Sequence, residues 1–268
     1  MKQKSLFILT FAVFLSLPAS PNDLLGSQSG RIPAYIASRY GPTSYAAWIS
    51  ARSVLGSDGK LDVGALPIGM QISIQKQIES GDYERQGCVQ TLEVSIDLAG
   101  PQKARGTLGD LARNSIGILR GEVTGIDYGF GSYGTPALLL EVLVEERIKG
   151  SSKIADSPYV YFEYPVASFE AGGYRFCKKD SRWPEPPEIG DSVMLFPYRQ
   201  PGDTADQVIV PLPDGFEVIF ERKKDRSLIV PRALRDDPDL IGAKRLDTVR
   251  ERAAEHLRKS THPESSNF

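Results

Sequence analysis

Residues 137–148, ALLLEVLVEERI, decide the fold class. Leu138, Leu140, Val142 and Val144 alternate with Leu139, Glu141, Leu143 and Glu145. Neighbouring side chains of a strand point to opposite faces, so this period of two predicts a strand. Thr135-Pro136 would also serve as a helix start. The strand is the preferred reading, ended by Lys149-Gly150. Upstream, Ile116–Ile126 (IGILRGEVTGI) reads as a second strand, with Gly117, Gly121 and Gly125 as bulges or close-packing points. Tyr128–Pro136 between the two reads as a Gly-rich loop.

Farther out the same alternation recurs. Ile68, Met70, Ile72 and Ile74 alternate with Gly69, Gln71, Ser73 and Gln75, which predicts a half-buried strand. Gly81-Asp82 and Gln86-Gly87 mark turns, and Val89–Leu98 alternates again. Thr107 is placed to cap a short helix, TLGDLARNS, with Asp110 three residues on. Downstream strands are expected at Tyr159–Val166, Gly172–Cys177, SVMLFPY after Gly190-Asp191, Gln207–Val210, Gly215–Glu221 and Leu228–Val230. SRWPEPPE (181–188) reads as a proline-rich loop. Turn signals roughly every 8–15 residues predict an antiparallel sandwich or barrel. Its span is residues 66–235. Leu246, Val249, Ala253 and Leu257 fall at helical spacing, so residues 236–268 form a terminal helix and tail.

The N-terminus differs. Lys2 and Lys4 precede a 12-residue apolar run, LFILTFAVFLSL, and then Pro18, Ala19 and Ser20. Residues 1–20 therefore read as a secretory signal peptide, too short in its apolar core for the ~20 residues of a spanning helix. The mature chain, with no later stretch apolar enough to span, is expected to be periplasmic or extracellular. Residues 21–65 are rich in Gly, Ser, Pro and Ala and read as a partly ordered extension. Ile32, Tyr35, Ile36 and Tyr40 suit one face of a short helix, and Ser44–Ser53 suits another. Ser57-Asp58-Gly59-Lys60 reads as a turn.

A net charge of −2 gives no case for nucleic-acid binding. Cys88 and Cys177 are the only cysteines, and in an oxidising compartment they are expected to pair.

Several of these segments together resemble a group of uncharacterised secreted bacterial proteins. The resemblance rests on LGDLARNSIGILRGEVTGI, LLLEVLVEERIKG, GDSVMLF at Gly190–Phe196, GFEVI at Gly215–Ile219 and the terminal RLDTVRERAAEHLR. It implies a small OB-like β-barrel, similar to that of tissue inhibitors of metalloproteinases. The inhibitor mechanism needs an N-terminal Cys to chelate zinc, and the expected mature N-terminus has none. The expected fold is thus mainly β: an antiparallel OB-like barrel or sandwich with an N-terminal extension and a C-terminal helix.

Few constellations point to chemistry. Gly129–Gly134 matches G-x-G-x-x-G, but a strand is expected after it, so a hairpin loop is the reading. The two histidines, His256 and His262, both lie at the C-terminal end, and no H-E-x-x-H occurs. No metal or cofactor is expected. Among carboxylates, Glu141, Glu145 and Glu163 fall on strands and Asp180 and Glu185 in a loop; most are expected to be solvated. The candidate binding surface is aromatic: Tyr174, Arg175, Trp183 and Tyr198. The leading expectation is a non-enzymatic module that binds an extracytoplasmic protein or an envelope component. The alternative is a carboxylate-dependent hydrolase of an envelope polymer. A third reading is a structural protein anchored by residues 21–65.

Overall fold

A computed structural model describes residues 48–90, 107–131, 134–150, 158–178, 185–197 and 218–261. The signal-peptide reading, the helix at 32–40, most of Val89–Leu98 and the strand at Gln207–Val210 lie outside these residues. Ten strands are described: β1 (Ile49–Ser50), β2 (Val89–Gln90), β3 (Ile118–Phe130), β4 (Pro136–Lys149), β5 (Tyr159–Tyr164), β6 (Ala167–Ala171), β7 (Tyr174–Lys178), β8 (Ser192–Leu195), β9 (Val218–Glu221) and β10 (Leu228–Ile229). Four α-helices accompany them: α1 (Ile68–Glu79), α2 (Asp82–Gln86), α3 (Leu108–Asn114) and α4 (Leu246–Thr261). The fold is mainly β.

The larger sheet has the order β10-β9-β8-β3-β4-β5, with β1 on β3, and all its pairings are antiparallel. It does not close into a barrel among the described residues. The smaller sheet, β2-β7-β6, has one parallel pair, β2 with β7. The Cys88–Cys177 disulfide is formed beside that pair, with the Cα atoms 5.9 Å apart. It closes a long loop of chain, for which the chain-entropy model gives roughly 4 kcal/mol.

The long hairpin β3–β4 is the spine. It carries three register irregularities. At Gly121 a Cβ would lie 2.2 Å from the Leu143 carbonyl oxygen, so only glycine fits there. Of the G-x-G-x-x-G segment, Gly129 and Phe130 belong to β3, and the Gly134 N–H donates to the Gly131 carbonyl at 2.7 Å ahead of β4. β3 runs on to Phe130, and the Gly131 N–H donates to the Thr135 carbonyl at 2.9 Å. The expected loop from Tyr128 is therefore shorter than its glycines imply.

Inner-face side chains of the larger sheet meet the smaller sheet in one core. Phe130, Phe162, Tyr164, Phe169, Phe176 and Phe220 are its largest members. Phe130 meets Phe176 edge-on at 5.2 Å between ring centres. On the outer face, α3 and α4 cover Ile118, Met194, Phe196 and Ile219 in a second core. The Thr107 hydroxyl oxygen accepts the Asp110 N–H at 3.0 Å, the cap expected from the sequence. Lys149 closes the other end of α3, its Nζ donating to the carbonyls of Ala112, Arg113 and Ser115 at 2.6–3.0 Å. Burial pulls the Lys149 pKa down, while its three carbonyl partners favour the ammonium form.

Three local expectations are corrected. Residues 68–79 form a helix, not a strand: Met70, Ser73, Ile74 and Gln77 face inward at helical spacing. The stretch from Trp48 to Ser53 is not helical; β1 pairs with the end of β3 and the Ala51 N–H donates to the Tyr128 carbonyl. β6 was not expected at all; Ser168 and Glu170 point out while Ala167, Phe169 and Ala171 point in.

Candidate functional site

Of the four expected surface residues, the structure describes two. Trp183 and Tyr198 lie outside the described residues. Tyr174 and Arg175 open β7. Tyr174 is half-buried, its ring 5.6 Å from that of Tyr83 in α2. The Arg175 backbone N–H donates to the Tyr83 hydroxyl at 3.4 Å. Arg175 is exposed, but Glu170, directly across the β6–β7 register, takes its guanidinium at 2.9 Å. The arginine is thus a neutralised pair rather than a lone cation. Tyr83 and Glu170 were not among the sequence candidates; only the fold brings them there.

Helix α1 lies beyond this aromatic pair and has a second apolar side. Ile68 is 71% exposed and Ile72, one turn on, is 46% exposed. Ile78 and Val63 are exposed too. The inward side is fixed to the smaller sheet: the Gln77 amide donates to the Gln90 carbonyl at 2.5 Å and accepts the Gln90 N–H at 2.9 Å. Gln90 sits opposite disulfide-bonded Cys177. The outward isoleucines are therefore displayed on a tethered helix. A helix apolar on both sides is the arrangement of a buried or docking element.

A second cluster occupies the outer face of β3–β4–β5. The register sets Asp127 beside Leu139 and Leu139 beside Glu163; one step along, Gly125, Glu141 and Tyr161 form the next row. Asp127 accepts the Trp48 indole N–H at 2.9 Å and the Ser50 hydroxyl at 3.0 Å. Glu141 accepts the Thr124 hydroxyl at 2.8 Å and the Tyr161 hydroxyl at 3.3 Å. Glu163 lies against Gly131, where a Cβ would sit 1.9 Å from its Oε1. All three carboxylates are buried, so Glu141 and Glu163 depart from the solvated state expected of most strand carboxylates. Glu145 is exposed, and Glu185 is exposed and 3.5 Å from the buried Arg222. Asp180 lies outside the described residues.

Other reactive groups are committed to structure. Both cysteines are in the disulfide. His256 Nε2 is 2.6 Å from Asp239 Oδ2, and its ring packs on Gly109, where a Cβ would come within 3.0 Å. Among the described residues, no three His, Cys, Asp or Glu side chains gather as a metal site would require. No helix among them is long and apolar enough to cross a membrane. In comparisons with protein-family models, curated proteins and solved structures, nothing matches this chain.

Proposed function

We propose that the chain is a secreted β module, of OB-like barrel or sandwich type, that binds an extracytoplasmic protein or envelope component and performs no chemistry of its own. The observation that carries this reading is the outward pair Ile68 and Ile72 on α1. Their apolar surface stays in water, where burying such a side chain is worth about 1.5–3 kcal/mol. A partner that covers them gains that amount, and clustered exposed apolar side chains mark contact surfaces. Tyr174 and Arg175, with Trp183 and Tyr198, extend the same surface in this reading.

The secreted location rests on Lys2 to Ser20 as an export signal, and the disulfide is compatible with an oxidising compartment. The hydrolase alternative has weaker support. A glycosidase needs two carboxylates lining an accessible cleft, and Glu141 and Glu163 are buried.

The test is capture of partners by cross-linking, with purified residues 21–268 offered to the envelope and culture fluid of the source. One dominant species, lost with Ile68→Glu/Ile72→Glu and weakened by Tyr174→Ala or Trp183→Ala, is the expected result. Capture unchanged by all of these variants would refute the proposed surface.

A further inference from the structure

We propose that Arg226 and Arg245 form a binding site for a phosphate group, at the start of α4 on the outer face of the larger sheet. Their shared partner makes the first part of the case. Glu221 ends β9, and its side chain is only 6% exposed. Arg226 Nε lies 2.8 Å from Glu221 Oε1, and Arg245 Nε lies 3.0 Å from the same oxygen. The two guanidinium groups are therefore side by side. A buried carboxylate needs one cation to balance it. Arg245 meets that need, its Nε donating to both carboxylate oxygens at 3.0 Å, and the Leu246 N–H adds a bond at 2.8 Å. Arg226 is a second cation on the same anion, which leaves the trio with one positive charge in excess.

The backbone supplies the second part. Among the described residues, Arg226 is the one non-glycine residue with positive φ, at 62°. It closes the β9–β10 hairpin, its N–H donating to the Arg222 carbonyl at 2.9 Å. Glycine or asparagine fills such a left-handed position with the least strain. An arginine held there against its backbone preference points to a use for the side chain.

Open donors are the third part. The Arg226 and Arg245 side chains are 60% and 44% exposed, and Glu221 engages both at Nε, which leaves their Nη groups for a ligand. The acids nearest in sequence are engaged elsewhere. Asp225 accepts the Ser227 N–H and hydroxyl at 2.9 and 2.7 Å, and Asp247 pairs with Arg120 at 2.7 Å. Ser192 of β8 lies directly across the register from Glu221, so its half-buried hydroxyl stands on the same face. Glu122 of β3 follows Ser192 in that row and bounds the site on its far side. One guanidinium fork matches the two oxygens of a carboxylate. Two forks and a hydroxyl call for the three oxygens and higher charge of a phosphate group. The adjoining first turn of α4 favours an anion as well. The site shares no residue with the α1 surface.

The experiment is equilibrium dialysis of the full mature chain against labelled inorganic phosphate and labelled glycerol phosphate at constant ionic strength, with acetate as competitor. Saturable binding is expected, weakened about ten-fold or more by Arg226→Gly or by Arg245→Gln. Glycine suits the φ of position 226, so Arg226→Gly keeps the fold, and its unfolding midpoint should match or exceed that of the parent chain. Arg226→Lys retains the charge without the fork and should bind several-fold more weakly than the parent. Tighter binding of the ester than of inorganic phosphate would identify an esterified phosphate as the ligand, and equal binding the free ion; either supports the site. Absence of saturable binding, affinity unchanged in Arg226→Gly, or displacement by acetate as effective as by unlabelled phosphate would overturn the proposal.

Discussion

Helices α1 and α4 both dock on sheets, yet they spend their apolar residues differently. In α4, Leu246, Val249 and Ala253 are buried and Leu257 is half-buried along one stripe. Its remaining sides are charged: Arg250 donates to Glu146 at 3.0 Å, and Asp247 pairs with Arg120 at 2.7 Å. Glu221 of β9 accepts the Leu246 N–H at 2.8 Å and so caps the helix start. Packing accounts for the whole pattern. In α1, Met70 and Ile74 do the packing, while Ile68, Ile72 and Ile78 face away. Lys76 and Glu79 are its only charges. The difference teaches that α1 carries apolar surface the described fold does not use, and that surplus is the basis for assigning it a partner.

The comparison breaks first if α4 is less essential than its stripe implies. Val249→Asp buries an unpaired charge and is expected to cost about 4 kcal/mol or more, abolishing cooperative unfolding in urea. Next, Met70→Ala tests the inward side of α1. Met70 is fully buried, so the loss should be about 2–5 kcal/mol in the same titration. A loss under 1 kcal/mol would mean that α1 is peripheral to the core.

The charged side of α4 gives a smaller, pH-dependent effect. The hydrogen bond from Arg250 holds the Glu146 carboxyl below its ordinary value of 4.5. The folded state thus binds this proton more weakly than the unfolded chain. The resulting stability is fully present above about pH 4.5 and is lost as pH falls through the lower folded value. Arg250→Gln should therefore flatten the fall in stability on acidification, as read by urea midpoints at about pH 3 and pH 7. The pair is half-exposed, so the effect is modest. Smallest of all, Ile68→Gln/Ile72→Gln should leave unfolding free energy within about 0.5 kcal/mol of the parent chain.

How much of this was legible in the sequence follows the same division. The β3–β4 hairpin was readable because one of its faces is continuously apolar, and Thr107 and the α4 stripe were readable for equally local reasons. Helix α1 was not. Its isoleucines on two sides turn a helical pattern into an apparent alternation, so Ile68-Met70-Ile72-Ile74 reads as a strand. What separates the readings is Ser73 and Gln77, polar residues that the helix buries. β6 escaped because ASFEA is short and weakly apolar: of the three residues it buries, Ala167, Phe169 and Ala171, only Phe169 is large. The pairing of Tyr174 with Tyr83 and of Arg175 with Glu170 depends on the disulfide-tied sheet and has no local signal. The same holds for the cluster of Asp127, Glu141 and Glu163 on two adjacent rows, which the register of three strands creates.

The central claim is that the outward side of α1 exists for a partner. The most direct test compares cross-linked partner capture by the parent chain and by Ile68→Glu/Ile72→Glu, each first shown to unfold at the same urea midpoint. The account predicts one dominant captured species with the parent chain and its loss with the variant. Equal capture by both folded proteins would contradict it.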